Sequence, residues 1–265
     1  MSTNVKSSTD PKKEKDEPKT ETKCEQNKSQ SADEYNNVDP VTDEHLKLFP
    51  ERRGGDIRHT SFLKDLRQER DQCEFRTLSV LKNYPLVKLL ERAMKAHGCE
   101  LDYRRHFSCE PCNGKTTGGY DVYYNQIVVC SNKYMNKGQF MGTIGHEMIH
   151  MFDACRAKLD FNNPEHVACT EIRAANLMHC SIPGSIYKGT TPIYRWADTQ
   201  KECVREKAFL SLISSLPDLD HSKAYAIVDK VFDKCYNDME PFGRHIQSFK
   251  DSLYAYRERY LYGYP

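Results

Sequence analysis

Cysteine content is the feature that most restricts how this chain can fold. One of its 11 cysteines, Cys24, lies in a polar segment, and the other ten lie between Cys73 and Cys235. An even number of cysteines favours disulfides over scattered thiols, because each disulfide uses two of them. Disulfides are rare in the reducing cytosol. The sequence therefore predicts a cross-linked fold that is unusual for a cytosolic protein.

One disulfide can be predicted from a helical hairpin. Apolar spacing over residues 203–216 and 222–236 predicts two antiparallel helices that turn near Leu219. Cys203 and Cys235 are each 16 residues from that turn, so they would face each other at the open end of the hairpin. We therefore predict a Cys203–Cys235 disulfide. The pairing of three other cysteines stays open: Cys155, Cys169 and Cys180.

A second arrangement of cysteines has to be weighed against disulfides. Cys109-Glu-Pro-Cys112 has the spacing of half a zinc site, and Cys99 and Cys130 could complete it. The second pair lacks the close spacing of a zinc knuckle. Disulfides are therefore the favoured interpretation, with a structural zinc site as the alternative.

The sequence His146-Glu147-Met148-Ile149-His150 carries the clearest chemistry. On a helix, residues i and i+4 share a face, so both imidazoles can reach one metal ion. Zinc lowers the pKa of a bound water, and the carboxylate of Glu147 can take its proton and pass it to a leaving amine. The pattern predicts a peptidase with His146 and His150 as zinc ligands and Glu147 as the catalytic residue. The alternative is a helix that merely carries two histidines.

A catalytic zinc ion needs a third protein ligand. Glu171 is favoured, because the 20 residues between His150 and Glu171 allow a helix end, a turn and a second helix that returns to the metal. An ion pair of Glu171 with Arg173 or Arg156 is the alternative for this carboxylate. Other candidate ligands follow His150 in the sequence: Asp153, Asp160 and His166. Of these, Asp153 can reach the metal only through another residue.

Apolar spacing predicts four helices before the hairpin, over about residues 63–81, 85–97, 139–158 and 164–179. β-Branched and aromatic residues from Tyr120 to Cys130 predict two short strands with a turn at Asn125 and Gln126. The predicted fold class is α+β and rich in helix. It combines a small zincin-like sheet, the helix with the histidine pair and an appended C-terminal helical hairpin.

Composition divides the chain into three parts. Residues 1–45 contain almost no aliphatic side chains and are predicted to form a disordered polar tail. Residues 60–245 are predicted to form a metallopeptidase domain that includes the helical hairpin at 200–240, and residues 246–265 a C-terminal extension. No apolar run approaches the ~18 residues of a membrane-spanning helix, so we expect a soluble or peripheral protein. The net charge of +1 gives no reason to expect a nucleic-acid partner.

Several of these segments resemble one family. The run from Gly145 to His150, the run Phe152-Asp-Ala-Cys-Arg-Ala-Lys158 and the run from Ala168 to Leu177 are similar to the Atp23 family of mitochondrial inner-membrane proteases. The cysteine spacing and the sequence Asp238-Met-Glu-Pro-Phe242 extend the resemblance over about residues 70–245. After Leu177 the chain reads Met178-His179-Cys180, where the family usually has Ser-Gly and an acidic residue before the cysteine.

The resemblance implies a zinc metalloendopeptidase that cleaves polypeptide substrates, with His146 and His150 as ligands and Glu147 as catalyst. It implies a peripheral enzyme on the intermembrane-space side of the mitochondrial inner membrane. Disulfides form there by oxidative import without a cleavable presequence, which would account for many cysteines and no secretory signal. It also implies a role in assembling the membrane sector of ATP synthase, with the subunits of that sector as partners. A protease-independent assembly factor for ATP synthase is therefore the alternative function.

Overall fold

The computed structural model describes residues 60–180 and 196–265, with side chains from residue 68 and from residue 198 onward. The tail predicted for residues 1–45 lies outside the described residues. In chain order the elements are α1 (Thr60–Asn83), α2 (Pro85–Ala96), α3 (Tyr103–His106), β1 (Phe107–Glu110), β2 (Gly118–Asp121), β3 (Gln126–Cys130), α4 (Lys137–Arg156), α5 (Pro164–Ala174), a π-helical turn (Ala175–His179), α6 (Trp196–Ser215), α7 (His221–Tyr236), α8 (Phe249–Glu258) and a 3-10 turn (Arg259–Tyr262). This is the helix-rich α+β arrangement that the sequence predicts.

The sheet has three short strands in the order β1-β3-β2. The central strand β3 is buried from Ile127 to Cys130 and pairs parallel with β1 and antiparallel with β2. The predicted strand pair is β2 and β3, but the turn between them spans residues 122–125 and not Asn125 and Gln126. Asn125 ends this turn with a positive φ of 48°, and Gln126 already belongs to β3. Strand β1 was not predicted. Its sequence Phe-Ser-Cys-Glu has no apolar run, and only its pairing with β3 makes it a strand.

Helix α4 is the central element of the fold. Asn136 and Gln139 start it with a reciprocal capping box, in which each side chain accepts a hydrogen bond from the other residue's backbone N–H. The helix packs against α2 on one side, against β2 and β3 on another and against α5 on a third. A helix held on three sides positions its side chains rigidly, and this one carries the histidine pair.

The apolar stripe predicted for α2 faces α4. Leu86, Leu89, Leu90 and Ala93 are at most 1% exposed, and they follow the spacing i, i+3, i+4, i+7. Burying each large aliphatic side chain contributes roughly 1.5–3 kcal/mol. Pro85 begins the helix, where its fixed φ and missing N–H carry no cost.

Five disulfides join the ten cysteines of the described residues: Cys73–Cys109, Cys99–Cys155, Cys112–Cys130, Cys169–Cys235 and Cys180–Cys203. The structural zinc site proposed as an alternative for Cys99, Cys109, Cys112 and Cys130 is therefore wrong. These four cysteines are divided among three disulfides.

The predicted Cys203–Cys235 disulfide is also wrong, because Cys203 pairs with Cys180 and Cys235 pairs with Cys169. The hairpin itself forms, since α6 and α7 pack together, but α5 packs against both of them. This third helix and the turn after it bring Cys169 and Cys180 to the two hairpin cysteines. Each hairpin helix is consequently linked to the α5 segment and not to the other hairpin helix.

Replacing both Cys169 and Cys235 by alanine is expected to lower the free energy of unfolding by about 2–4 kcal/mol, because the open chain regains conformational entropy when it unfolds. Urea unfolding without reductant measures this difference, and the double replacement leaves no unpaired thiol at the site. Unchanged stability, or an oxidised peptide map that joined Cys203 to Cys235, would contradict the observed connectivity.

Residues 246–265, set apart in the sequence as an extension, contain α8 and the 3-10 turn. Helix α8 packs against α2, and Ala255 and Tyr264 are buried in the same core cluster as the residues of α2. Among the described helices, none is both long and apolar enough to cross a membrane.

Candidate metal centre

The two histidines of α4 lie one helical turn apart and point toward the same place. The Nε2 atoms of His146 and His150 are 3.0 Å apart, and their rings meet edge to face. His150 is buried, and the side chain of His146 is 14% exposed. The helix therefore presents two imidazole nitrogens to one point at the edge of the core.

Glu171 on α5 adds a carboxylate at the same point. Its Oε2 lies 3.4 Å from His146 Nε2 and its Oε1 lies 3.5 Å from His150 Nε2. Helix α5 begins at Pro164 after a turn capped by Asn163, which is the return that the spacing predicted. The three side chains form the only group of this kind found among the described residues, with one ligand atom from each within 4.8 Å of the others.

The geometry of these atoms fits a zinc ion. Nitrogen and oxygen donors lie about 2.0–2.2 Å from zinc, so two donors to one ion are at most about 4.4 Å apart, and the separations of 3.0–3.5 Å meet this limit. Glu171 Oε2 is also buried with no hydrogen-bond partner among the described residues. Burying such an oxygen unpaired is costly, and a metal ion would satisfy it.

The other candidate ligands lie elsewhere. His166 Nδ1 accepts a hydrogen bond from the backbone N–H of Asp160 at 3.2 Å, so the first turn of α5 interacts here with the loop before it. Neither residue belongs to the group around His146. Asp153 makes no direct hydrogen bond to the histidine pair and is connected to it through a threonine.

That threonine, Thr170, fixes the tautomer of His150. Its hydroxyl donates to Asp153 Oδ2 at 2.8 Å, and its oxygen therefore accepts a hydrogen bond from His150 Nδ1 at 2.9 Å. With the proton on Nδ1, the lone pair of His150 lies on Nε2. Such a partner both orients a ligand ring and raises its basicity. Thr170 and Asp153 thus prepare His150 for metal binding.

Asp153 is itself fixed by two arginines. The guanidinium of Arg173 donates from Nε to both carboxylate oxygens at 3.0 Å, and that of Arg156 donates to Oδ1 at 2.9 Å. Arg173 is 1% exposed and also donates to the backbone carbonyls of Asp238 and Glu240. Both arginines are directed to Asp153, so the ion pair of Glu171 with Arg156 or Arg173 that was considered as an alternative is not present.

Glu147 lies between the histidine pair and strand β2. It is 8% exposed, and the backbone N–H of Tyr120 in β2 hydrogen-bonds to its carboxylate. Glycine is required at position 118, because a Cβ there would lie 2.7 Å from Thr143 Cγ2 of α4 and 2.8 Å from the Val128 backbone oxygen. The same position is within ordinary contact distance of Glu147 Cγ, at 3.7 Å. The carboxylate is thereby held beside both the candidate metal ligands and an edge of the sheet.

Two of the three candidate ligands, Glu171 and His150, have charge states that suit metal binding. Burial disfavours the charged form of Glu171, but the His150 and His146 imidazoles more than offset this and lower the pKa of Glu171 to about 2. Burial lowers the pKa of His150 to about 4. At neutral pH the site therefore offers an ionised carboxylate and a neutral imidazole, which are the forms that bind zinc.

Glu147 has the opposite shift from Glu171. Burial raises the pKa of Glu147 to about 7, although the neighbouring His146 opposes the increase. A carboxylate with a pKa near neutrality can both accept and donate a proton at physiological pH. Glu147 and Glu171 belong to the same site but are thus adapted to different tasks.

Three residues of the site were not predicted from the sequence. Thr170 fixes His150, Ser211 on α6 helps to lower the pKa of Glu171, and the ring of His179 lies 4.7 Å from that of His146 between centroids. His179 belongs to the π-helical turn. The residue before it, Met178, lies so close to α4 that a Cβ at Gly145 would come within 2.0 Å of its Cε. No periodicity marks any of these residues, and only the helix packing brings them to the site.

Comparisons with known proteins show which family the chain belongs to. The family model of the peptidase M76 family matches residues 71–243. The chain is 39% identical to the mitochondrial inner membrane protease ATP23 homolog of Homo sapiens, over 80% of this chain and 85% of the relative. For the homolog of Xenopus laevis the identity is 39%, over 80% of this chain and 89% of the relative. For the mitochondrial inner membrane protease atp23 of Schizosaccharomyces pombe the identity is 35%, over 66% of this chain and 93% of the relative. No solved structure matches the chain significantly.

The matched region includes the histidine pair, Glu147 and Glu171, and it places the chain among the peptidases. The chain belongs to the peptidase M76 family. The resemblance seen in the sequence is thereby confirmed, and the relatives are named as proteases of the mitochondrial inner membrane.

Proposed function

We propose that this protein is a zinc-dependent metalloendopeptidase with His146, His150 and Glu171 as metal ligands. The observation that carries the proposal is the convergence of three ligand atoms from two helices within 4.8 Å of one another, directly beside a carboxylate whose pKa is about 7. A helix pair built only for stability would not need a buried acidic oxygen without a hydrogen-bond partner.

Each residue has a defined task in this proposal. A bound zinc ion would polarise the scissile carbonyl and acidify a water molecule. Glu147 would accept a proton from the attacking water and donate it to the departing amine, and a group with a pKa of about 7 can transfer a proton in both directions. Thr170 and Asp153 keep the His150 ring oriented so that its Nε2 faces the metal.

Strand β2 is the proposed binding edge for the substrate. It lies at the end of the sheet order β1-β3-β2 and pairs with only one strand of this sheet. An extended peptide can add to such an edge through backbone hydrogen bonds. Because β2 also contacts Glu147 through Tyr120, a peptide paired along it would pass the reacting groups. The small sheet beside the histidine helix supports the zincin-like arrangement that we propose for this domain.

Removing the metal is expected to abolish peptide hydrolysis, and adding one equivalent of zinc is expected to restore it. Glu171→Ala should lower zinc affinity by more than about 100-fold, since even residues that only support a ligand change metal affinity 10–100-fold. Zinc content by mass spectrometry and a chelator competition give the two readouts. His166→Ala is the control, because His166 bonds to the Asp160 N–H. Zinc loss in His166→Ala with full zinc in Glu171→Ala would reverse the assignment of the third ligand.

We further propose that the enzyme acts as a peripheral protein on the intermembrane-space side of the mitochondrial inner membrane. The names of the relatives and the five disulfides support this setting. A role in assembling the membrane sector of ATP synthase, with its subunits as partners, rests on the family resemblance. Assembly of ATP synthase in cells that contain only a Glu147→Gln variant distinguishes a protease from an assembly factor that needs no proteolysis.

A further inference from the structure

The C-terminal helix α8 has an exposed face that its packing against α2 leaves uncovered. Ser252 and Ala255 on the opposite face are buried at 1% exposure. The exposed positions follow helical spacing and continue into the 3-10 turn, and we call them the C-terminal face: Phe249, Lys250, Tyr254, Arg257, Tyr260 and Leu261.

The apolar members of the C-terminal face are unusually open to solvent. Leu261 is 80% exposed, Tyr260 63% and Phe249 61%. Single exposed apolar side chains are ordinary, but here three of them and Tyr254 lie within the 13 residues from Phe249 to Leu261. So many solvent-exposed apolar side chains in one short segment indicate that a binding partner covers them.

Basic side chains accompany these rings. Lys250 and Arg257 belong to the face, and the guanidinium of Arg259 lies 4.1 Å from the centre of the Tyr260 ring. The acidic residues of the segment are engaged locally, since the Asp251 carboxylate accepts hydrogen bonds from Gln247 and Ser248 at the start of α8 and Glu258 pairs with Arg244. The face therefore combines aromatic and aliphatic groups with positive charge.

This combination fits an anionic lipid surface better than a second copy of the chain. Tyrosine rings suit the boundary between headgroups and acyl chains, and basic side chains are attracted to anionic headgroups. Two copies joined through this face would bring their Lys250 and Arg257 side chains together, and like charges repel. Proteins similar to this one are named as inner membrane proteases, yet no described helix can cross a membrane.

We infer that the C-terminal face docks the protein onto membranes that contain anionic lipids. The inference rests on the proposed membrane setting and adds the surface and the lipid chemistry responsible for it. Phe249, Tyr260 and Leu261 insert at the headgroup boundary, while Lys250, Arg257 and Arg259 contact the anionic headgroups.

The test measures binding of the full chain to sedimented vesicles of phosphatidylcholine, with and without phosphatidylglycerol. We expect binding only to vesicles with the anionic lipid. Lys250→Gln combined with Arg257→Gln should lower the partition coefficient about 30-fold, because each basic residue near an anionic surface contributes about fivefold. Tyr260→Ser combined with Leu261→Ser should lower it at least about tenfold.

Matched variants separate this face from general effects. Lys223→Gln with Lys234→Gln removes two exposed charges from α7, and Tyr134→Ser removes a tyrosine that is 99% exposed. Both should bind like the wild type. Equal loss in these controls, or unchanged binding in both C-terminal variants, would overturn the inference. So would concentration-dependent dimers that the C-terminal variants abolish while vesicle binding stays absent.

Hydrolysis of a soluble peptide distinguishes this inference from the proposed function. None of the substituted residues lies in the metal centre, so every variant should cleave the peptide at the wild-type rate. Wild-type protein that cleaves peptide but ignores anionic vesicles would overturn the docking surface alone. Protein that binds vesicles through this face but never cleaves peptide would instead contradict the peptidase.

Discussion

Glu147→Gln is expected to lower peptide hydrolysis by about 10³-fold or more while the protein stays folded and keeps its zinc. The amide has nearly the shape of the carboxylate but cannot accept the proton of the attacking water, and general base catalysis contributes about 10²–10⁴-fold. His146, His150 and Glu171 remain in place to hold the metal. The measurements are initial rates on a quenched fluorescent peptide, zinc content and circular dichroism.

The control for this experiment is Glu110→Gln. Glu110 is 7% exposed, close to the 8% of Glu147, but it lies in β1 at the opposite edge of the sheet. A change of the same kind at similar burial should leave hydrolysis unchanged. Hydrolysis at the wild-type rate in Glu147→Gln would contradict the proposed mechanism. Zinc loss in that variant would show that Glu147 holds the metal and does not act on the water.

The same variant tests the pKa of Glu147 in the metal-free protein. The pKa is raised from 4.5 to about 7 by burial, so between these values the folded state binds more protons than the unfolded state. Stability contributed by the protonated group is then complete below pH 4.5 and decreases as the pH rises toward 7. Relative to Glu147→Gln, the wild-type protein should lose stability across this interval. A constant difference between the two proteins would contradict a raised pKa.

Asp153→Ala is expected to destabilise the protein by about 1–3 kcal/mol, because it leaves the buried Nε of Arg173 without an acceptor. The same guanidinium keeps its ion pair with Asp238, so its charge stays compensated. Arg173 is 1% exposed, so water cannot replace the lost partner. The substitution also removes the acceptor of Thr170, which frees His150 to turn. We therefore expect zinc affinity to fall about 10–100-fold in addition. Thermal and urea unfolding measure the first effect, and chelator competition measures the second.

A surface ion pair offers a close control for Asp153→Ala. Arg205 and Asp229 are also 3.0 Å apart, but their side chains are 39% and 64% exposed. Exposed pairs contribute only about 0–1 kcal/mol, so Asp229→Ala should change stability by no more than this and leave zinc affinity unchanged. Similar losses of stability in both variants would show that burial of the Asp153 cluster has no special effect. Weak destabilisation of Asp153→Ala with unchanged zinc affinity would show that Asp153 does not support the metal centre.

Local patterns in the sequence predicted the local features well. The apolar spacing of α2 predicts which of its residues are buried, because one face of a helix recurs every 3.6 residues. The same geometry predicts that His146 and His150 share a face, and the length of chain after them predicts that Glu171 returns to it. These features depend on residues within one helix or on one short connection.

The pairing of cysteines could not be predicted from the sequence, because it depends on which helices pack together. The prediction for Cys203 and Cys235 considered the hairpin alone, and α5 packs against both of its helices and supplies the actual partners. Strand β1 could not be predicted for the same reason. Its sequence has no apolar run, and it forms a strand only because it pairs with β3.

The sequence by itself determined the chemical identity of the candidate centre: two histidines one turn apart, an adjacent glutamate and a third ligand at a suitable distance. Only the tertiary structure decided what supports them. The path from His150 through Thr170 and Asp153 to Arg173 crosses three times between α4 and α5. A hydrogen bond needs its partners within about 3 Å in space, and their separation along the chain carries no such information.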